Sequence, residues 1–295
     1  MANGAQGAHV TQPGSTDASP PSDPPDSGGF LSVPRVPPIR TSERPFLIFD
    51  ALGFCTALKT QSLTNVYLRL QSLAATAAGS AGMSSQPLPE IACVSDTIFV
   101  LAPVDVPVGE ALRRLAEYAC VLLANAIVIE RFAFPLRGTL GFGEVMADMK
   151  HTWQFDLRRD GAREGQGAMT RRVIGPVLIG GAVVEAMAWE KMQKWIGASI
   201  EPNQLLHLRS EMGTVMDDLV KNHSLLEWDV PTAHGLVRTL ALNFVPKSHQ
   251  SRTDYLLQEL RKGEDQAPNL EVRAKYIATR LFAEQVIQDG TYNPT

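Results

Sequence analysis

Cysteine is scarce. The 295 residues hold three, Cys55, Cys93 and Cys120, far apart and without CxxC spacing. That pattern argues against a disulfide framework and against a cysteine zinc site, and fits a reducing, cytoplasmic compartment. His151, His207, His223, His234 and His249 show no metal-ligand spacing either. Positive charge is not in excess: 27 Lys and Arg face 31 Asp and Glu, a net −4. No general basic field is present to attract nucleic acid or an acidic membrane surface. Long apolar runs are missing too. The most apolar segment, Tyr118 to Ile129, falls short of the roughly 20 residues a membrane helix needs. It contains Asn125 and is flanked by Glu117 and Glu130, so a buried helix is expected. No basic segment followed by an apolar one opens the sequence, so no signal peptide is expected. No internal repeat is visible.

What remains is ordinary globular composition, 44% apolar and 20% charged, enough for one large domain or two small ones. Residues 1–42 differ from the rest. They hold eight of the 20 prolines, among Gly, Ser, Asp and Thr. Such a segment buries too little apolar surface to offset its conformational entropy, so a disordered tail is expected. A folded domain is expected over 43–250, with a helical appendage over 251–295.

The folded part begins with Phe46-Leu47-Ile48-Phe49-Asp50-Ala51-Leu52-Gly53-Phe54. An apolar run ending in a carboxylate and then Gly-Phe reads as a buried strand, a tight turn and a helix. The helix is expected over Ala57–Ala78, and a loop runs on to Pro89. Ile91 to Val100 then places Asp96 between two apolar half-strands, at a hairpin tip. Pro107 opens a helix with Leu112, Leu115, Ala119, Leu122 and Leu123 inward and Arg113, Arg114 and Glu117 outward. Residues 134–145 alternate like a strand, and their three glycines suggest close backbone approach. The order strand, helix, hairpin, helix, strand is the first part of a ferredoxin-like βαββαβ pattern. An α/β (α+β) fold follows. In that topology strands one and three are neighbours, which predicts that Asp50 and Asp96 converge.

Further on, 157–172 reads as a flexible basic loop, with Arg158, Arg159, Arg163, Arg171 and Arg172 among glycines. It is a solvated loop or a lid gripping phosphates. A helix is expected from Ala182 to Trp195, a short strand at 198–200 and a helix from Leu205 to Val220. Two strands follow at 225–231 and 239–246, then helices at 255–261 and 272–288.

Two strand-end carboxylates suit Mg2+ or Mn2+, hard cations completed by carbonyls and substrate phosphates. The amides of Leu52, Gly53 and Phe54, at a helix start, would seat a phosphate. Alone, strand-end aspartates are also common turn formers and caps.

Several motifs together carry a resemblance. Phe49-Asp50-x-x-Gly53-Phe54, Ser95-Asp96-Thr97-Ile98, Arg137-Gly138-x-x-Gly141-x-Gly143-Glu144, and Gly181 with Ala186 through Glu190 follow in the order seen in class III nucleotidyl cyclases. Over residues 44–200 the chain resembles that family. The Trp/Gln-patterned helix Val184–Trp195, Trp228-Asp229-Val230-Pro231 and Asn243-Phe244-Val245-Pro246 resemble one branch, the pyrimidine cyclases of bacterial Pycsar antiphage defence. The resemblance implies a ferredoxin-like cyclase catalytic domain. It implies two divalent ions, Mn2+ or Mg2+, on Asp50, Asp96 and the Ala51 carbonyl, with the triphosphate on Leu52 to Phe54. It implies a homodimer with sites at the interface, UTP cyclised in preference to CTP, and an effector that senses the product. The rival readings are a purine cyclase with an atypical base pocket and an inactive cyclase-like nucleotide-binding dimer.

The departures are specific. The position that reads a purine base, four residues before the second aspartate, is Ala92. The transition-state Asn and Arg of the family fall on Val184 and Ala188. Arg137 is the first candidate to replace them, and the 158–172 arginines the second; a strand-surface salt bridge is the other reading of Arg137. Glu144 reads as a surface carboxylate. Glu185 and Glu190 fit helix pairs with Lys191 and Lys194. Trp189 and Trp195 read as interface or core.

Overall fold

The apolar run becomes the middle of β1 (Thr41–Ala51), which is buried on both faces. Leu47 and Phe49 join the main core, and Phe46 and Ile48 a second cluster with Val183 and Ala186. A strand covered on both sides needs no polar alternation, which explains its unbroken apolar sequence. In the computed structural model, residues 41–82, 89–129, 134–148, 152–157, 169–174, 177–246 and 250–293 are described.

After β1 come α1 (Phe54–Thr60), α2 (Leu63–Gly82), β2 (Glu90–Val94), β3 (Thr97–Leu101), α3 (Val108–Val128) and β4 (Leu136–Asp148). β1 lies between β3 and β4, antiparallel to both, and β2 lies outside β3. This is the ferredoxin-like order expected from the sequence. The sheet continues through β8 (Gly197–Ile200), β10 (Gly235–Leu242) and β9 (Leu225–Thr232). β8 runs parallel to β4, and β7 (Val177–Ile179) pairs with the far end of β4. α4 (Gly181–Met192) and α5 (Pro202–Lys221) precede and follow β8, and α6 (Gln250–Asp265) and α7 (Leu270–Asp289) close the chain. The fold is α+β. The chain divides into two compact units, and the one described so far spans 35–153 and 173–295. β5 (Thr152–Leu157) and β6 (Met169–Ile174) form a separate two-stranded sheet.

Several boundaries differ from expectation. The first helix breaks at Gln61, which is extended, and Ser62 Oγ accepts the Asn65 amide at 3.2 Å to begin a new helix. α4 stops at Met192 rather than Trp195, because Gln193 turns extended and bridges to Thr232. Arg171 and Arg172 lie on β6 rather than in a loop. Arg158, Arg159 and Arg163 lie outside the described residues, as does the expected tail up to residue 40; β1 starts at Thr41. On α3 the expected inward leucines and Ala119 are all buried, while Arg113 reaches Asp218 of α5 at 2.7 Å. Among the described residues no helix is long and apolar enough to cross a membrane.

Residue 250 is not a packing boundary. Leu256, Leu260, Phe282, Ala283 and Val286 are buried in the main core. The Phe282 ring sits 5.1–5.4 Å from those of Trp228, Trp195 and Phe244. Aromatics of β9, of the approach to β8 and of the exit from β10 thus meet on one α7 side chain, so the C-terminal helices pack into the same core.

The glycines of β4 do allow close approach. A Cβ at Gly138 would overlap the Phe49 ring and lie 2.6 Å from the Ile48 carbonyl oxygen. Gly138→Ala is expected to cost about 1–3 kcal/mol by overpacking, read as a lower melting temperature. An unchanged melt would mean that β1 and β4 separate without penalty.

Candidate active site at the end of the first strand

The site is built where β1 runs out. Asp50 is in register with Thr97 of β3 on one side and Arg137 of β4 on the other. The β2–β3 turn is two residues long, with Ser95 in the left-handed region at φ 56°. The Ala51 amide donates to the Asp96 carbonyl at 2.8 Å, which pins that turn against the end of β1. The structure therefore brings both aspartates to one corner of the sheet. Their charges interact. Burial is the main cause that pushes the Asp50 carboxyl above the usual carboxylate range; Arg137 opposes this and Asp96 reinforces it.

Arg137 is not a strand-surface residue. Its side chain is only 10% exposed and serves three acceptors. Nε donates to Glu190 Oε1 at 2.5 Å, one terminal nitrogen to the Gln193 carbonyl at 3.1 Å, and the other to Asp50 Oδ2 at 3.3 Å. A guanidinium with all of these directions engaged positions Asp50; it does not reach out alone. Glu190 departs from the expected helix-surface pair with a lysine. It is buried, with burial foremost in raising its pKa and Arg137 next in lowering it. A signal for this was present in the sequence. Val183, Ala186 and Glu190 repeat at three and four residues, so a carboxylate falls on the buried stripe of α4. Such a carboxylate calls for a buried cation.

Behind the pair lies a chain of buried polar contacts. Gln193 Nε2 donates to the Gly138 carbonyl at 2.8 Å. Its Oε1 accepts from Trp195 Nε1 at 2.8 Å and Ser199 Oγ at 3.0 Å, and Trp189 Nε1 donates to Ser199 Oγ at 2.9 Å. The two tryptophans are core residues that fix the segment carrying Glu190 and Gln193.

The turn after Asp50 is narrower as an anion seat than expected. The Leu52 amide already donates to the Pro135 carbonyl at 2.9 Å, and that of Ala51 to Asp96. Gly53 adopts φ 83°, a conformation that favours glycine, and α1 starts at Phe54 without a side-chain cap. Of the expected cradle, the amides of Gly53 and Phe54 remain, since the first amides of a helix have no intrahelical acceptor. Other expected positions lie elsewhere. Glu144 is exposed opposite Glu43, at the other end of β4. Val184 and Ala188 lie on the exposed face of α4, and Ala92 on the outer strand β2.

Among the described residues no group of three or more His, Cys, Asp or Glu stands ready to enclose a metal. Asp50 and Asp96 offer two carboxylates, an oxygen set that suits Mg2+ or Mn2+ when phosphates complete the shell. The charge on Asp50 is not fully compensated by Arg137, so a further cation has a reason to bind. The residues fit a divalent ion.

No protein-family model and no curated protein matches the sequence. Solved structures with a related backbone arrangement include the guanylate cyclase domain of RhGC from Catenaria anguillulae in complex with GTP. It is 15% identical, with 69% of this chain and 98% of that one covered and a TM-score of 0.46. A rhodopsin-guanylyl cyclase core of converted specificity, in complex with ATPalphaS, is also 15% identical, covering 69% and 97% at a TM-score of 0.45. A bacterial light-regulated adenylyl cyclase is 10% identical, covering 75% and 58% at 0.43.

Proposed function

We propose that this chain is a metal-dependent nucleotidyl cyclase, a phosphorus–oxygen lyase that turns a nucleoside triphosphate into its 3′,5′-cyclic monophosphate and pyrophosphate. The observation that supports this most is the meeting of Asp50 and Asp96 at one end of adjacent strands, within motifs that resemble class III cyclases in order. Asp50, Asp96 and the Ala51 carbonyl would hold Mn2+ or Mg2+. When bound, two such ions favour ionisation of an attacking hydroxyl and stabilise charge on the leaving pyrophosphate. The chain's own residues orient the rest. Gly53 and Phe54 seat phosphate oxygens on their amides. Arg137, fixed by Glu190, holds Asp50 in place. The 3′-hydroxyl attacks the α-phosphorus, and the bond to the bridging oxygen of pyrophosphate breaks.

UTP is the favoured substrate and CTP the next. Ala92 offers no hydrogen-bonding group to read a purine, and the later motifs resemble the pyrimidine cyclases. The working unit is a homodimer with the site completed at the interface. The exposed apolar residues Ile179 (59%) and Val184 (67%), on β7 and α4, give a second protomer a surface to cover. The product would act as a second messenger in bacterial antiphage defence, sensed by a separate effector in the cytoplasm.

Incubation with each of the four nucleoside triphosphates and Mn2+ tests this, with cyclic UMP the expected main product. Cyclic AMP or GMP as the main product would move the assignment to a purine cyclase. Nucleotide binding without any cyclic product would favour an inactive binding module, which Val184 and Ala188 in place of the family's Asn and Arg also favour.

A further inference from the structure

Beside the turn after Asp50 opens a cavity of about 460 Å3, walled on one side by Gly53, Thr56 and Thr60 and on the other by α7 and the connection into it. Its described lining carries two cations, Arg69 and Lys275, and no carboxylate. The Thr56 hydroxyl and the Gln266 side-chain amide add donors, whereas the Thr60 hydroxyl already donates to the Thr56 carbonyl at 2.9 Å. Such a lining suits an anion with several oxygens.

Lys275 is held there by the fold. One turn further along α7, Thr279 Oγ1 accepts the Ile196 amide at 2.8 Å and donates to the Ile196 carbonyl at 2.9 Å. The next residue, Gly197, is in register with Arg137. Residues four apart share a helix face, so the contact that docks Thr279 beside β8 also turns Lys275 toward the Asp50–Arg137 corner. The Lys275 side chain is 14% exposed; its ion-pair partner, Glu271 at 3.4 Å, is 65% exposed. Burial foremost lowers the Lys275 pKa, Glu271 counters, and Arg137 adds to the lowering. A half-buried ammonium whose counter-ion lies mostly in solvent gains from a second anion. Arg69 approaches from α2, its guanidinium 3.9 Å over the Phe134 ring.

We infer that this cavity receives the terminal phosphates of the nucleotide, with Lys275 as the cation that α7 contributes and Arg69 facing it. The inference rests on the cyclase reading and deepens it: the C-terminal helices supply part of the substrate site from within the same chain. Leaving pyrophosphate would depart through this cavity.

The test measures inorganic tripolyphosphate binding to the full chain by calorimetry, in magnesium-containing buffer. Lys275→Gln and Arg69→Gln are compared with Lys221→Gln, at the far end of α5. Losing a charged hydrogen-bond partner is expected to weaken binding about 10–100-fold in the first two, with the control unchanged. In turnover assays the same two variants should raise KM more than they lower kcat and relieve inhibition by added pyrophosphate. The melting temperature of Lys275→Gln should stay near wild type, because burial already works against the Lys275 charge and its partner Glu271 is mostly exposed. Tripolyphosphate that fails to bind the wild-type chain, or that binds the two variants as tightly as the wild type, overturns the inference. If binding depends on Lys275 but no triphosphate is cyclised, the phosphate pocket stands and the cyclase reading fails. If a triphosphate is cyclised with unchanged KM and pyrophosphate inhibition in both variants, the reverse holds.

Discussion

Asp50→Asn and Asp96→Asn should each reduce cyclic-nucleotide formation by more than about 100-fold, the loss typical of disturbing even an outer support of a metal site. Neither should unfold the protein. For Asp50, stability and activity should move in opposite directions. Its carboxyl has a folded-state pKa above the ordinary value, with burial as the main cause and Arg137 only partly offsetting it. A raised acid pKa means that the folded state holds its proton more tightly than the unfolded state. The ionised form therefore costs stability once the pH exceeds the unfolded value, and the full cost is present above the folded value. Asn removes the charge and keeps the shape, while Arg137 retains Glu190 and the Gln193 carbonyl. The melting temperature of Asp50→Asn at neutral pH should hold or rise while activity is lost. That opposition marks a residue kept for function at the expense of stability. A thermal-shift titration adds a second readout: the rise caused by Mn2+ with nucleotide in the wild type should vanish in either variant. Turnover within tenfold of wild type in either one would remove the metal assignment.

How far the sequence revealed this site depends on the range of each contact. The first strand was legible because burial on both faces leaves an unbroken apolar run. The Asp96 hairpin was legible because its strands are separated by a two-residue turn. Their adjacency followed from element order, since a ferredoxin-like order puts the second hairpin strand, β3, beside β1. The buried partner of Arg137 was not legible in the same way. Glu190 comes 53 residues later, on another element. Its sequence neighbours Lys191 and Lys194 suggest a surface pair, and only the buried stripe of α4 points inward. The engaged amide of Leu52 was hidden for a related reason, because its acceptor on Pro135 belongs to the entry of β4. The packing of the C-terminal helices was the least legible. A short amphipathic helix looks the same whether it packs on its own domain or stands apart. Phe282 decides the matter only through Trp195, Trp228 and Phe244, three aromatics from separate parts of the chain.

The Arg137–Glu190 pair carries the second large effect. Both side chains are buried, and Arg137 is the main opposite charge beside Glu190. Glu190→Leu should cost about 3–5 kcal/mol, because a buried guanidinium is left with a weaker counter-charge, and Arg137→Met should cost a similar amount for the converse reason. The double variant Arg137→Met/Glu190→Leu should cost much less than the sum, since two apolar groups of similar volume often replace a buried ion pair at little net penalty. Denaturant melts of the four proteins give the coupling directly. Activity should not follow stability back. Arg137 also bonds Asp50 Oδ2 at 3.3 Å, so the double variant lacks the group that fixes the Asp50 carboxylate. It should melt near the wild type and turn over slowly. Additive losses in stability would show that the two charges are not a unit. Full activity in a well-folded double variant would show that Asp50 needs no guanidinium beside it, and that the corner formed by β1, the β2–β3 turn and β4 is positioned by the backbone alone.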